Sequence, residues 1–333
     1  MKHLTICTVL LLVGFACTAP TSKDDTVAIN GDFFPESLVK YTAEHDIVQI
    51  LVPLNALNFE DDADDVDDDT NSDTVLFFVE ADIDPNNYNK RDYKGLYILK
   101  EGKATKLLEN GRDATAANDD TKFAYFGASD GIYVYDSKEN KAVKFGSVDD
   151  PIINIIKENG TEVIYILTDD KQVYRVTDEG NKKTKVAEVN NALEIVLDYS
   201  NNLYFYGDDK KIYVVNVGGL KEISLPDSCQ YLKLLTPPFI IEDGIPIVCD
   251  ENTYIIYANG TVENGDFVLK VKPTAYSMEA TLIQYYAYNK KIYEYNILII
   301  ILSEVLEGLK SFLDEFKDNI ESIATRSRND LRA

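Results

Sequence analysis

The chain has 333 residues, 45% of them hydrophobic, and a formal net charge of −24. That is enough apolar material for a large core, and the charge argues against nucleic acid or anionic membrane as partners, since both would be repelled. With only two histidines, His3 and His45, the composition also argues against a histidine-built metal site or a histidine-dependent triad.

The chain opens on "MKHLTICTVLLLVGFACTAPTS", a basic tip followed by an apolar stretch from Leu4 to Phe15 and then small residues. This predicts a secretory signal peptide over residues 1–19, cleaved between Ala16 and Ala19, with an apolar stretch too short to span a bilayer. Secretion makes a Cys229–Cys249 disulfide an expectation. It also makes Asn159 and Asn259, each followed by Gly and Thr, candidate glycosylation sites, although the same tripeptides make good turns.

From residue 95 onward one short phrase recurs: "GLYILKEG", "GIYVYDSKEN", "QVYRVTDEG", "KIYVVNVGG", "NTYIIYANG" and "KIYEYN". Its marker tyrosines are Tyr97, Tyr133, Tyr174, Tyr213, Tyr254 and Tyr293, about forty residues apart. A period of that size signals a repeat architecture. Each phrase alternates β-branched and aromatic residues beside a turn, and so reads as a strand. Upstream of each lies another strand, from "TVLFFVEA" at 74 to "LIQYYAYN" at 282, joined by short polar links such as "ASDG" and "GDDK". Third and fourth strands flank most pairs. Four antiparallel strands repeated six times predict an all-β, six-bladed β-propeller over residues 20–296. "LVKYTAEHDIVQIL" near the start matches "AVKFGSVDDPIINII" near 150, so Leu38–Tyr41 should be an outer strand that completes the sixth blade after Tyr293. That closure would protect an open sheet edge.

Propeller geometry then sorts the loops. Cys229 and Cys249 belong at the top of the fifth blade, and their bond would close a loop of about 20 residues, a stabilisation on the order of 3 kcal/mol. Asn159 and Asn259 fall on bottom loops. The acidic stretch Glu60–Asp73 reads as a solvated loop or a weak calcium site, without the glycine and terminal glutamate of an EF-hand. "DIDPNNYNKRDY", 82–93, is a long insertion on the top, where loops on a rigid scaffold often carry function.

The inner strands each place one polar residue in an apolar run: Gln49, Asn154, Glu194, Lys233 and Glu279, with Ala116 in the second blade. They should face a wet central channel, since an unpaired charge between packed blades is too costly. As ligand contacts they are joined by Tyr93, Tyr231 and Tyr276, whose rings can stack on a flat aromatic and donate hydrogen bonds. The competing reading satisfies these groups with water and one another, as in a Lys233–Glu194 pair. No enzyme motif or cofactor motif appears: there is no GxSxG, HExxH, P-loop or paired CxxC. Six-bladed calcium-dependent lactonases ring one metal with a Glu, two Asn and an Asp, and a lysine in this column opposes calcium.

After the last phrase, Leu302, Leu306, Leu309, Leu313, Phe316, Ile320 and Ile323 step by three and four. They predict a C-terminal amphipathic helix within a 297–333 extension, either a dimer seam or a lid on the propeller.

Through the secreted start and the body from about 30 to 295, including "GLYILKEGKATKLLENG", "FGASDGIYVYDS" and "TDDKQVYRVTDEG", the chain resembles the ommochrome-binding proteins of lepidopteran haemolymph. The resemblance implies a soluble extracellular carrier, not an enzyme, that holds a tryptophan-derived phenoxazinone pigment without covalent attachment. On that reading Lys233 meets a pigment carboxylate. The alternatives are an extracellular protein-recognition propeller and a calcium-dependent hydrolase.

Overall fold

A computed structural model of the protein describes residues 27–53, 75–85, 87–117, 123–226, 228–238, 241–277 and 283–296. The expected signal peptide, the acidic stretch, Glu279 and the C-terminal helix lie outside the described residues.

Two short strands, β1 (Val27–Ile29) and β2 (Val39–Thr42), come first, separated by two 3-10 turns. Four antiparallel sheets then follow in chain order. The first holds β3 (Asp46–Leu51), β4 (Leu76–Asp84), β5 (Asn87–Lys100) and β6 (Lys103–Leu108). The second holds β7 (Gly111–Ala116), β8 (Ala124–Ala128), β9 (Gly131–Asp136) and β10 (Lys141–Lys144). The third holds β11 (Ile152–Lys157), β12 (Ile164–Thr168), β13 (Val173–Thr177) and β14 (Lys182–Lys185). The fourth holds β15 (Ala192–Leu197), β16 (Leu203–Gly207), β17 (Ile212–Asn216) and β18 (Gly219–Ile223).

The last two sheets borrow from the chain's start. In the fifth, β19 (Leu232–Leu234), β20 (Gly244–Cys249), β21 (Asn252–Tyr257) and β22 (Val262–Leu269) gain β1 as a fifth, parallel strand. In the sixth, β23 (Ala275–Ser277), β24 (Ile283–Tyr288) and β25 (Lys291–Asn296) gain β2 as the outermost strand. The register pairs Val39 with Tyr293 and Thr42 with Lys291, which is the predicted closure displaced by one residue. Each sheet packs on the next through its inner strands, and the sixth packs on the first, so the sheets follow one another around an axis as the blades of an all-β propeller.

Burial follows strand position. The second strands β8, β12 and β16 are buried at every residue, because a neighbouring sheet covers each face. The outer strands are polar and lysine-rich, and β14, "KKTK", is wholly exposed. Lysines on an edge discourage pairing with a second molecule. They also explain part of the recurring phrase, because three marker tyrosines lie beneath a lysine of the outer strand: Lys106 over Tyr97 at 5.3 Å, Lys144 over Tyr133 at 4.9 Å and Lys183 over Tyr174 at 4.6 Å. The glycine that opens the phrase in the first two sheets has a backbone cause. Gly95 and Gly131 have φ of +126° and +123°, and a Cβ on Gly131 would lie 2.0 Å from the Val148 carbonyl oxygen.

The seam between the fifth and sixth sheets is aromatic. Phe33 stacks on Tyr295 at 4.7 Å and meets Tyr286 edge-on at 5.8 Å, while Phe34 stacks on Tyr288 at 4.7 Å. Thus the segment between β1 and β2 fills this seam while its two ends pair with the sheets on either side. Truncating the buried Phe33 to alanine should cost about 3–5 kcal/mol, whereas the same change at the exposed Phe123 should stay within about 0.5 kcal/mol. Equilibrium denaturation of the two variants checks this, and equal losses would remove the seam's special role.

Candidate functional site

The central channel is built from one repeated irregularity. In each of the first four sheets the innermost strand carries a register shift against its neighbour, between Ile47 and Gln49, Gly111 and Asp113, Ile152 and Asn154, and Ala192 and Glu194. Such a bulge re-aims the residue that follows it. The polar column therefore runs Gln49, Asp113, Asn154, Glu194, Lys233 and Tyr276, all lining the channel. One expectation is corrected. Ala116 is not the second-sheet member, because the bulge after Gly111 puts Asp113 in register with Gly127, the place that Asn154 takes opposite Leu167. In the sixth sheet the innermost strand is Ala275–Ser277 and Tyr276 is its column residue, while the expected member Glu279 lies outside the described residues.

Most of the column is spent on holding neighbouring sheets together. Gln49 Nε2 donates to the Ala114 carbonyl at 3.2 Å. Asp113 Oδ2 accepts from the Ile155 N–H at 2.7 Å and from Asn154 Nδ2 at 2.5 Å. Asn154 Oδ1 accepts from the Ile195 N–H at 2.9 Å, and Glu194 Oε2 accepts from the Leu234 N–H at 2.9 Å. The Lys233 ammonium donates to the other oxygen of Glu194. Gln49, Asp113, Asn154 and Glu194 so reach the backbone of the next sheet's innermost strand, whereas Lys233 reaches back to the sheet before it. Between the sixth and first sheets the same service comes from Ser277, whose hydroxyl accepts from the Val52 N–H at 3.2 Å, and from Thr274, which donates to the Ile47 carbonyl at 2.6 Å. Lys233 is therefore committed to an ion pair, the arrangement that the competing reading of the column described.

Above the column runs the insertion read from the sequence. β4 and β5 extend beyond their sheet as a hairpin around residues 82–93, and its tip reaches the fourth and fifth sheets. Tyr88 meets Tyr231 edge-on at 5.5 Å, and the Tyr206 hydroxyl donates to Asn89 Oδ1 at 3.4 Å. This strap covers a cavity of about 780 Å³, within the usual range of small-molecule sites. Tyr93, Tyr231 and Tyr276 all line it, as expected, but with different freedom. The Arg112 guanidinium lies 5.5 Å from the Tyr93 ring, and Lys272 Nζ lies 4.5 Å from the Tyr231 ring. The buried Tyr276 hydroxyl has no hydrogen-bond partner. Burial raises the pKa of Tyr206, Tyr231 and Tyr276, so all three phenols stay protonated as donors.

Sequence reasoning missed Arg91 and Lys272, both channel-lining cations. Arg91 sat in plain view within the insertion, but nothing in its spacing said that the hairpin folds over the axis. Among the described residues no group of three His, Cys, Asp or Glu side chains is placed to hold a metal. The two remaining pairs of predicted residues are also distinguished. Cys229 and Cys249 form a disulfide. Asn259 is exposed, whereas Asn159 is half-buried and its Nδ2 donates to the Tyr199 carbonyl of the next sheet at 3.2 Å.

Asp113 gives the column a pH signature. Burial, partly offset by its hydrogen bonds from Asn154 and Ile155, lifts its pKa from 3.8 to about 6. Between those values the unfolded chain has released a proton that the folded chain still holds, so this group's contribution to stability falls as pH rises from about 4 to 6 and is level above that. The D113N variant cannot titrate there. Its stability relative to wild type should therefore improve by about 2–3 kcal/mol between pH 4 and pH 7. Urea unfolding at both pH values measures the difference, and a pH-independent gap would contradict the buried, ionising Asp113.

No protein-family model matches the chain, and no curated protein matches it. Solved structures do resemble it. A protein of unknown function from Bacteroides thetaiotaomicron is 12% identical, with 77% of this chain and 70% of that chain covered at a TM-score of 0.50. A chain of the mitotic checkpoint complex is 7% identical over 67% of this chain and 86% of its own, also at 0.50. The WD40 domain of Neurospora crassa Pan2 is 10% identical over 75% and 88%, at 0.44. At such identities the likeness speaks to the fold alone, and it is the sheet order that makes the chain an all-β protein of propeller type.

Proposed function

We propose that the protein is a six-bladed recognition propeller acting as a non-enzymatic, extracellular carrier of a small flat aromatic ligand, with a pigment of the ommochrome class as the first candidate. The observation that carries this reading is the covered channel. It combines about 780 Å³ of space, walls bearing Tyr93, Tyr231 and Tyr276, and a strap that crosses the top of the axis. Aromatic walls offer stacking to a planar ligand, and protonated phenols offer donors to its carbonyl and ring-nitrogen acceptors. The column residues Gln49, Asn154, Glu194 and Lys233 shape this space while they hold the sheets in place. The Cys229–Cys249 bond supports an oxidising location, and the exposed Asn259 supports a glycan at that sequon rather than at Asn159.

A protein-recognition role is the second reading, favoured by one feature. Tyr88, at the tip of the strap, keeps half its surface exposed on the top face. Titration with xanthommatin separates the two. A carrier takes up about one equivalent with a micromolar or tighter Kd, about −8 kcal/mol, and a shift of the pigment's visible band. Absence of uptake at millimolar pigment removes the carrier reading and leaves the recognition surface.

A further inference from the structure

The cations around the channel mouth are almost all spent. Lys233 pairs with Glu194, Lys171 with Asp208 at 2.7 Å, Lys90 with Asp84 at 3.3 Å and Arg112 with Asp169 at 2.8 Å. Arg91, on the strap, is different. Its Nε is buried with no acceptor, and among the described residues no carboxylate pairs with it. Glu194 and Asp113 are within its electrostatic reach, but both are already committed to backbone N–H groups of the next sheet. Tyr93, also on the strap, is a further group within electrostatic reach of the guanidinium. A buried donor left without an acceptor is destabilising, a penalty that a bound acceptor would relieve. Two further groups lining the same cavity are uncommitted to any carboxylate among the described residues: the Tyr276 hydroxyl, and Lys272 beside the Tyr231 ring.

Resting on the carrier reading, we propose that the channel mouth is an anion-selecting subsite, in which Arg91 binds the carboxylate of a planar aromatic acid whose rings lie against Tyr231. A guanidinium edge matches a flat carboxylate, and Tyr276 supplies a further donor within the cavity. Lys272 reinforces the positive potential at the Tyr231 side of the mouth. Asp113 and Glu194 set an upper limit on ligand charge, since their ionised forms would oppose a dianion such as phosphate. The local field thus selects a monoanion, although the protein as a whole is strongly acidic. The lysine of the inner column shapes the wall, and the arginine of the strap reads the ligand.

The test compares 4-hydroxyquinoline-2-carboxylate with its 2-carboxamide, two ligands of the same shape and different charge. Isothermal titration of the full mature chain should show the acid bound about 10- to 100-fold more tightly than the amide, as expected for one charge-assisted hydrogen-bonded contact. In R91M that preference should fall to within about threefold while amide binding is kept. R91K, which keeps the charge but lacks the Nε–H edge, should retain only part of it, and it carries the test should R91M fail to fold. Equal binding of acid and amide by wild type, binding of neither, or an undiminished preference in both variants overturns the subsite. If xanthommatin is still taken up in those cases, the carrier reading stands without it. If xanthommatin is refused as well, both fall.

Discussion

The molecule depends on a hydrogen bond that runs sideways. A propeller sheet satisfies its own backbone within the sheet, but nothing in that pairing fixes the angle to the next one. Here the angle is set by a polar side chain, placed by a bulge, that reaches the innermost backbone of its neighbour. Gln49, Asp113, Asn154 and Glu194 each make such a link, and Ser277 and Thr274 make it across the closing joint. A buried N–H left unpaired would cost more than the bond itself contributes, so these contacts specify geometry more strongly than they add stability.

The joint between the fifth and sixth sheets uses a different device. Lys233 turns back to Glu194 instead of reaching forward, and the gap is filled by Phe33, Phe34, Tyr286 and Tyr295. The residues around it pair with both sheets, β1 on one side and β2 on the other. One short stretch of chain thus replaces a polar link with apolar area and a backbone splint. The strap repeats the idea on the top face, where a hairpin of the first sheet rests on the fourth and fifth.

Much of this was legible in the amino-acid order, for stated physical reasons. The phrase around each marker tyrosine survives because a fixed strand environment demands a fixed pattern, and Leu38–Tyr41 was recognisable because an outer strand looks alike wherever it falls. β1 was not legible. Three residues carry too little alternation, and its parallel pairing with β22 has no local signature. The column was read correctly at Gln49, Asn154, Glu194 and Lys233, where the polar residue interrupts an apolar run. It was misread at Ala116, since in "GRDATA" the small residues hide which position the bulge re-aims. The site's chemistry was the least visible part. The pairing of Lys233 with Glu194 could be named from the column as one of two readings, but nothing in the letters around Arg91 says that the strap carries it over the axis.

The double attachment of the N-terminal segment has a consequence for biogenesis. Residues 27–42 are among the first to be synthesised, yet their partners lie at 267–269 and 291–293, near the end of the described body. The closing joint cannot form until those late residues exist, so the nascent polypeptide carries an unmated aromatic stretch until then. Chaperones would meet the protein in that open, adhesive form, and a late event of folding would be the return of its early strands to its late ones.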